Sequence, residues 1–130
     1  MRFIGTELTR IEPGLVEIEL PYRSELTQHH GYFHAGIVGT IADTAGGYAA
    51  LSMMPASSSV LTVEYKLNLV APADGERLHA IGLVLRSGRT LTVCELRVLV
   101  TKVSVESLCV ATGSRGDHFH RDHRYPGDIG

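Results

Sequence analysis

The stretch "GYFHAGIVGTIADTAGGYAAL", residues 31–51, constrains this chain more than any other. Its length and apolar content predict a core helix, ended by Pro55 in "MMPASSS". Yet it carries five glycines and one acid, Asp43. Each interior glycine costs a helix roughly 1 kcal/mol relative to alanine, so space beside the backbone must be worth that cost. At 100° per residue, Gly36, Gly39, Gly47 and Ala50 fall within about 40° of Asp43, and Thr40 and Gly46 within about 60°. Ile37, Val38, Ile41, Ala45, Tyr48 and Ala49 fall on the far side, the face expected to pack on a sheet. Two accounts fit Asp43. It is a buried acid satisfied by a hydrogen bond in a tight helix packing, or an acid set on a narrow passage for chemistry.

The helix start adds a second feature. No Ser, Thr, Asp or Asn precedes Ala35 as an N-cap, so the first-turn N–H groups lack an obvious acceptor unless Gln28 or His34 serves. Free N–H groups at a positive helix end suit an oxyanion, although water or a carbonyl can also cap them. Ala35 and Asp43 are separated by about 12 Å along the axis at 1.5 Å per residue. A general base and an oxyanion donor must each act within about 3 Å of the reacting atoms. One chain therefore cannot bring both to one carbonyl. If both are catalytic, they come from two subunits, and the site requires a dimer.

The remaining segments alternate with the period of strands. Val16, Ile18 and Leu20 interleave with Glu17 and Glu19. In "VLTVEYKLNLV", Leu61, Val63, Tyr65, Leu67 and Leu69 share one face and Thr62, Glu64, Lys66 and Asn68 the other. "RFIGTELTRI" opens the chain as a strand, while "RLHAIGLVLR", "TLTVCELRVLVTKV" and "SLCVATGS" complete the set. The order ββαββββ with short connections predicts an α+β fold, an antiparallel sheet curled around one long helix. The 130 residues suit a single domain over 1–113, followed by a polar tail over 114–130. His118, His120 and His123 in that tail read as solvated rather than metal-bound.

With 20% charged residues, a net charge of −2 and scattered Lys and Arg, nucleic acid is not an expected partner. No apolar run approaches a membrane span, and no secretory signal opens the chain, so the default compartment is the cytoplasm. Cys94 and Cys109 sit in apolar alternation, outside any CxxC or zinc spacing, and read as buried free thiols.

"GYFHAGIVGTIADTAGG", "TVEYKLNLVAPADG" and "RSGRTLTVCELRV" together resemble the hotdog-fold acyl-CoA thioesterases of the phenylacetate-degradation (PaaI-like) group, over about residues 13–113. The resemblance implies a hotdog fold, dimers and usually tetramers, an active site at the dimer interface, and hydrolysis of acyl-CoA without a metal or other cofactor. Asp43 matches the acid that activates or positions water. Ala35 matches a glycine whose N–H polarises the thioester carbonyl, and His34 the histidine shaping that end of the site, where it could equally cap the helix. Gln28 stands where relatives have Asn, one methylene shorter, and could be only a loop residue. Thr62 matches a hydroxyl contacting the water or the acid. Gly36, Arg86, Gly88 and Arg89 match positions near the substrate or the CoA phosphates, although a solvated hairpin explains the arginines equally. Direct attack by Asp43 to form an anhydride, and a non-catalytic acyl-CoA binder, are the alternatives. The proton-transfer motif of hotdog dehydratases is not found here. Either an aryl or a medium-chain acyl group fits the residues beside Asp43.

Overall fold

The computed structural model describes residues 1–100 in full and the backbone of residues 103–114. Strands β1 (Glu7–Glu12) and β2 (Leu15–Pro21) precede the helix α1 (Ala35–Ser52). Strands β3 (Ser59–Asn68), β4 (Arg77–Ser87), β5 (Leu91–Val100) and β6 (Val103–Ser114) follow it. All pairings are antiparallel, in the sheet order β1-β2-β4-β5-β6-β3. The expected order ββαββββ is therefore observed. The polar tail with His118, His120 and His123, and the side chain of Cys109, lie outside the described residues.

The alternation in β2, β4 and β5 explains how the sheet packs on the helix. Val16, Ile18, Leu20, Leu78, Ala80, Cys94, Leu96 and Val98 point inward and are buried with Val38, Ile41, Ala42, Ala45 and Ala49 of α1. Each fully buried Leu or Ile there contributes about 1.5–3 kcal/mol. The closest approach is at Gly82, where a Cβ would lie 2.4 Å from the carbonyl of Ala45. A second contact sets Gly46, where a Cβ would lie 2.5 Å from Leu96 Cδ2. Small residues in the helix thus let a curved sheet close on it.

Four expectations change. The first residues are not strand: Arg2–Ile4 form a 3-10 turn, and β1 begins at Glu7. The run "TLTVCELRVLVTKV" is not one strand, because β5 ends at Val100 and β6 begins at Val103. Tyr48 does not pack tightly against the sheet; it is 46% exposed, beside a groove along the β1–β2 edge. The simple alternation of β3 also fails, because its register with β6 shifts between Thr62 and Glu64. This bulge lets Thr62 before it, and Tyr65 and Leu67 after it, all turn toward the helix.

The sheet leaves one arc of α1 uncovered, carrying Gly36, Thr40, Asp43, Thr44, Gly47 and Tyr48, each exposed or half-buried. Thr40 and Thr44 donate back to the carbonyls of Gly36 and Thr40, at 2.7 and 2.8 Å. Asp43 is the only charged side chain on this arc.

Candidate active site

The start of α1 is fixed by backbone bonds from the preceding loop. The N–H of Phe33 donates to Ala73 and that of His34 to Leu26, both at 3.0 Å. Phe33 is buried and meets Tyr22 edge-on, with ring centroids 5.6 Å apart. His34 is the N-cap: its Nδ1 accepts the Gly36 N–H at 2.9 Å, and its carbonyl accepts from Ile37 and Val38 at 2.9 and 3.2 Å. Three of the four orphan donors of the first turn are thereby satisfied. The fourth, the Ala35 N–H, has no acceptor among the described residues. The helix end is consequently capped by His34, one of the two acceptors that the sequence left open, and the cap spares one donor.

Ala35 lines a cleft of about 500 Å³ together with Gln28, Tyr32, Leu69, Val70 and Pro72 among others. The Gln28 side-chain oxygen accepts the His30 N–H, which leaves its amide nitrogen without an acceptor among the described residues. Gln28 and Ala35 thus line one cleft.

Asp43 is half-buried, and its Oδ1 accepts the Thr62 hydroxyl at 2.7 Å. An O–H···O⁻ bond of this length is charge-assisted and fixes the carboxylate orientation. Its other oxygen, Oδ2, has no hydrogen-bond partner among the described residues. The β3 bulge aims Thr62 at the acid, so the site rests on a local irregularity that alternation cannot reveal. Asp43 does not line the cleft at Ala35. One chain therefore presents the two features apart.

The glycines beside Asp43 divide into two kinds. A Cβ on Gly39 would meet the Tyr65 hydroxyl at 3.3 Å, and Gly46 is occupied by Leu96, so both make room for the chain's own sheet. Gly47 has nothing within 4 Å of its Cβ position. Tight packing against the chain's own sheet therefore accounts for Gly39 and Gly46, and Gly47 alone of these three borders open space. Gly36 is crowded by the ring of its own capping His34, at 3.0 Å.

Arg86 and Arg89 stand exposed around the β4–β5 turn, with no ion pair among the described residues. Gly88 has a structural reason: a Cβ there would lie 2.6 Å from the Leu91 carbonyl. Val84, near this turn, donates to the Gly14 carbonyl, and the Gly14 N–H donates to Ser52 at the C-terminal end of α1. The turn therefore belongs to the opposite end of an 18-residue helix from Ala35. Among the described residues no three His, Cys, Asp or Glu side chains gather as a metal site. No helix among them is long and apolar enough to cross a membrane.

The thioesterase superfamily model matches residues 30–106. The chain belongs to the thioesterase superfamily. A solved thioesterase family protein from Silicibacter pomeroyi is 39% identical with a TM-score of 0.84, covering 89% of each chain. A protein from Halobacterium salinarum, named as a candidate esterase, is 32% identical over 94% of this chain and 85% of its own. A Bacillus halodurans protein solved with CoA is 25% identical, with a TM-score of 0.77, over 85% of this chain and 75% of that one. Family and fold together make this thioesterase a thioester hydrolase of the hotdog fold.

Proposed function

We propose that the thioesterase hydrolyses acyl-CoA at a site shared by two copies of the chain. The observation that carries this reading is the separation of its two functional groups. An uncapped N–H at Ala35 and a hydroxyl-oriented acid at Asp43 lie about 12 Å apart along one helix. A second copy is called for by β3 as well. It is a ten-residue edge strand, with Val63 exposed along it and Leu69 and Val70 just beyond, and such an edge invites pairing. Pairing two copies about a two-fold axis makes an isologous contact, so each copy gives Asp43 to one site and Ala35 to the other.

In each site Asp43 accepts a proton from a water through its unpaired oxygen while Thr62 holds the other. The water oxygen bonds to the thioester carbonyl carbon, and the carbonyl oxygen becomes an oxyanion. The N–H of Ala35 of the partner subunit stabilises that oxyanion, with the Gln28 amide assisting. Collapse breaks the C–S bond, and the proton held by Asp43 returns to the departing thiolate, leaving free acid and CoA. A thiol is far more acidic than an alcohol, so the thiolate leaves readily and no strong general acid is needed. Direct attack by Asp43, giving an anhydride that water then cleaves, uses the same residues. The cleft at Ala35 takes the thioester and the neighbouring pantetheine, and the unpaired Arg86 and Arg89 suit the CoA phosphates.

Asp43→Asn tests this reading. It keeps the acceptor oxygen for Thr62 but loses the base, and kcat on acyl-CoA is expected to fall by about 10²–10⁴-fold. Near-normal turnover would overturn the assignment, and tight acyl-CoA binding without turnover by the native protein would make it a binder instead.

A further inference from the structure

The acyl-CoA reading leaves the acyl group unassigned, and a second concavity bears on it. A groove of about 590 Å³ runs between α1 and the β1–β2 edge, lined by Leu8, Ile11, Val16, Ile18, Tyr48 and Leu51, with Thr44 and Ser52 at its helix ends. Leu8 pairs with Ile18 and Ile11 with Val16 across the two strands. Strict alternation would put Leu8 and Ile11 on opposite faces. The register shift between Leu8 and Arg10 puts both on the groove, while Arg10 joins Glu12 and Glu17 in ion pairs. The bulge thus builds an apolar wall from a strand whose every residue is exposed.

The polar groups in the wall are already spent. Thr44 donates to the Thr40 carbonyl and lies 3.5 Å from the Met1 sulfur. Ser52 donates to Ala49 at 2.6 Å and accepts the Gly14 N–H at 2.8 Å, and Thr6 donates to Met1 at 3.2 Å. Arg2 carries the one charged side chain of the lining. A ligand in this groove finds apolar surface and almost no hydrogen-bonding partner, which suits a hydrocarbon and not a hydroxylated ring.

The groove also begins in the right place. Thr44 follows Asp43 in sequence, and open Gly47 stands one turn further along the same arc. Thr44 to Ser52 spans about 12 Å of helix. An extended chain advances about 1.2 Å per backbone bond, so this length accepts about eight to ten carbons.

We infer that this groove holds the acyl group, and that the substrates are linear medium-chain acyl-CoA esters of about eight to ten carbons. The inference rests on the acyl-CoA hydrolase reading and adds which surface sets the chain length. The acyl chain leaves the carbonyl at Asp43, passes Gly47 and lies between Tyr48 and Leu51 of the helix and Leu8 and Ile11 of β1.

The test measures kcat/KM on CoA esters from acetyl to dodecanoyl and on a two-ring aryl ester, for the native protein and for Ile11→Trp. Ile11 is 60% exposed on an edge strand, so the bulk fills the groove without entering the core. Native kcat/KM should peak near octanoyl or decanoyl. Ile11→Trp should lose at least about tenfold on decanoyl-CoA, the value of a methylene or more in an apolar pocket, and stay within about twofold on butyryl-CoA. Equal effects on both esters, no effect on either, or a native preference for the aryl ester would overturn the inference. The chain has no tryptophan, so the introduced indole reports the groove alone. Its emission should shift blue with the non-hydrolysable decanoyl thioether of CoA and not with CoA. Absence of that shift overturns the groove assignment, whereas a shift without hydrolysis of any ester overturns the hydrolase reading instead.

Discussion

Ala35→Pro removes one atom of the proposed site and little else. Ala35 is the first residue of α1, a position where proline is favoured because its φ is preset and its N–H has no helical partner. The residue before a proline must be extended, and His34 already is, with φ −64 and ψ 136. The Ala35 N–H has no acceptor among the described residues, so folding loses no internal hydrogen bond. The His34 cap on Gly36 is untouched. Only the oxyanion donor disappears, and losing one such donor costs kcat about 10²–10³-fold, or about 2.7–4 kcal/mol. The assay follows CoA thiol release from octanoyl-CoA under saturation, beside a thermal melt. A melting temperature within about 2 °C of the native protein is expected, because no packing changes. A variant that melts normally and keeps more than about a third of native kcat would refute the role given to this N–H.

Thr62→Val removes the 2.7 Å bond to Asp43 while Thr62→Ser keeps it. A hydrogen bond to a charged group is worth about 1.5–3 kcal/mol, so kcat should fall about 10–100-fold in the valine variant and little in the serine one. Gly82→Ala drives a methyl into the Ala45 carbonyl, 2.4 Å away, and should destabilise by about 3 kcal/mol in urea titration. Gly47→Ala meets nothing and should stabilise by about 0.5–1 kcal/mol in the same titration. Burial pushes the Cys94 thiol up to about 11, so in a Cys109→Ser background it should resist iodoacetamide at pH 8 until the protein unfolds.

Much of this architecture is legible without coordinates, because it depends on periodicity. β2, β5 and the first part of β4 alternate cleanly and pack as their patterns require, while the β4–β5 register shifts between Val84 and Arg86. Asp43 and Ala35 stand out because an acid amid glycines and a helix without a small polar N-cap each break a local rule. The distance between them follows from helix geometry alone. What escapes sequence is set by two of the three register shifts in the sheet. A single extra residue in β3 sends Thr62 and Tyr65 to the same side, and another in β1 does so for Leu8 and Ile11. Neither carries a glycine or proline to mark it. His34 as the cap was open in sequence, since a ring nitrogen can replace a hydroxyl only when the loop holds it in place. Tyr48 was misplaced because a wheel shows which residues share a face and not how far the sheet reaches around it.

The two-subunit site is tested most directly by mixing two inactive variants, Asp43→Asn and Ala35→Pro, after unfolding and co-refolding. A mixed dimer pairs the intact Asp43 of one copy with the intact Ala35 N–H of the other, restoring one of its two sites. With random assortment half the dimers are mixed, so activity should return to about a quarter of the native level. A mixture that stays as inactive as its parents, although mixed dimers form, would place both groups within one chain and contradict the shared site.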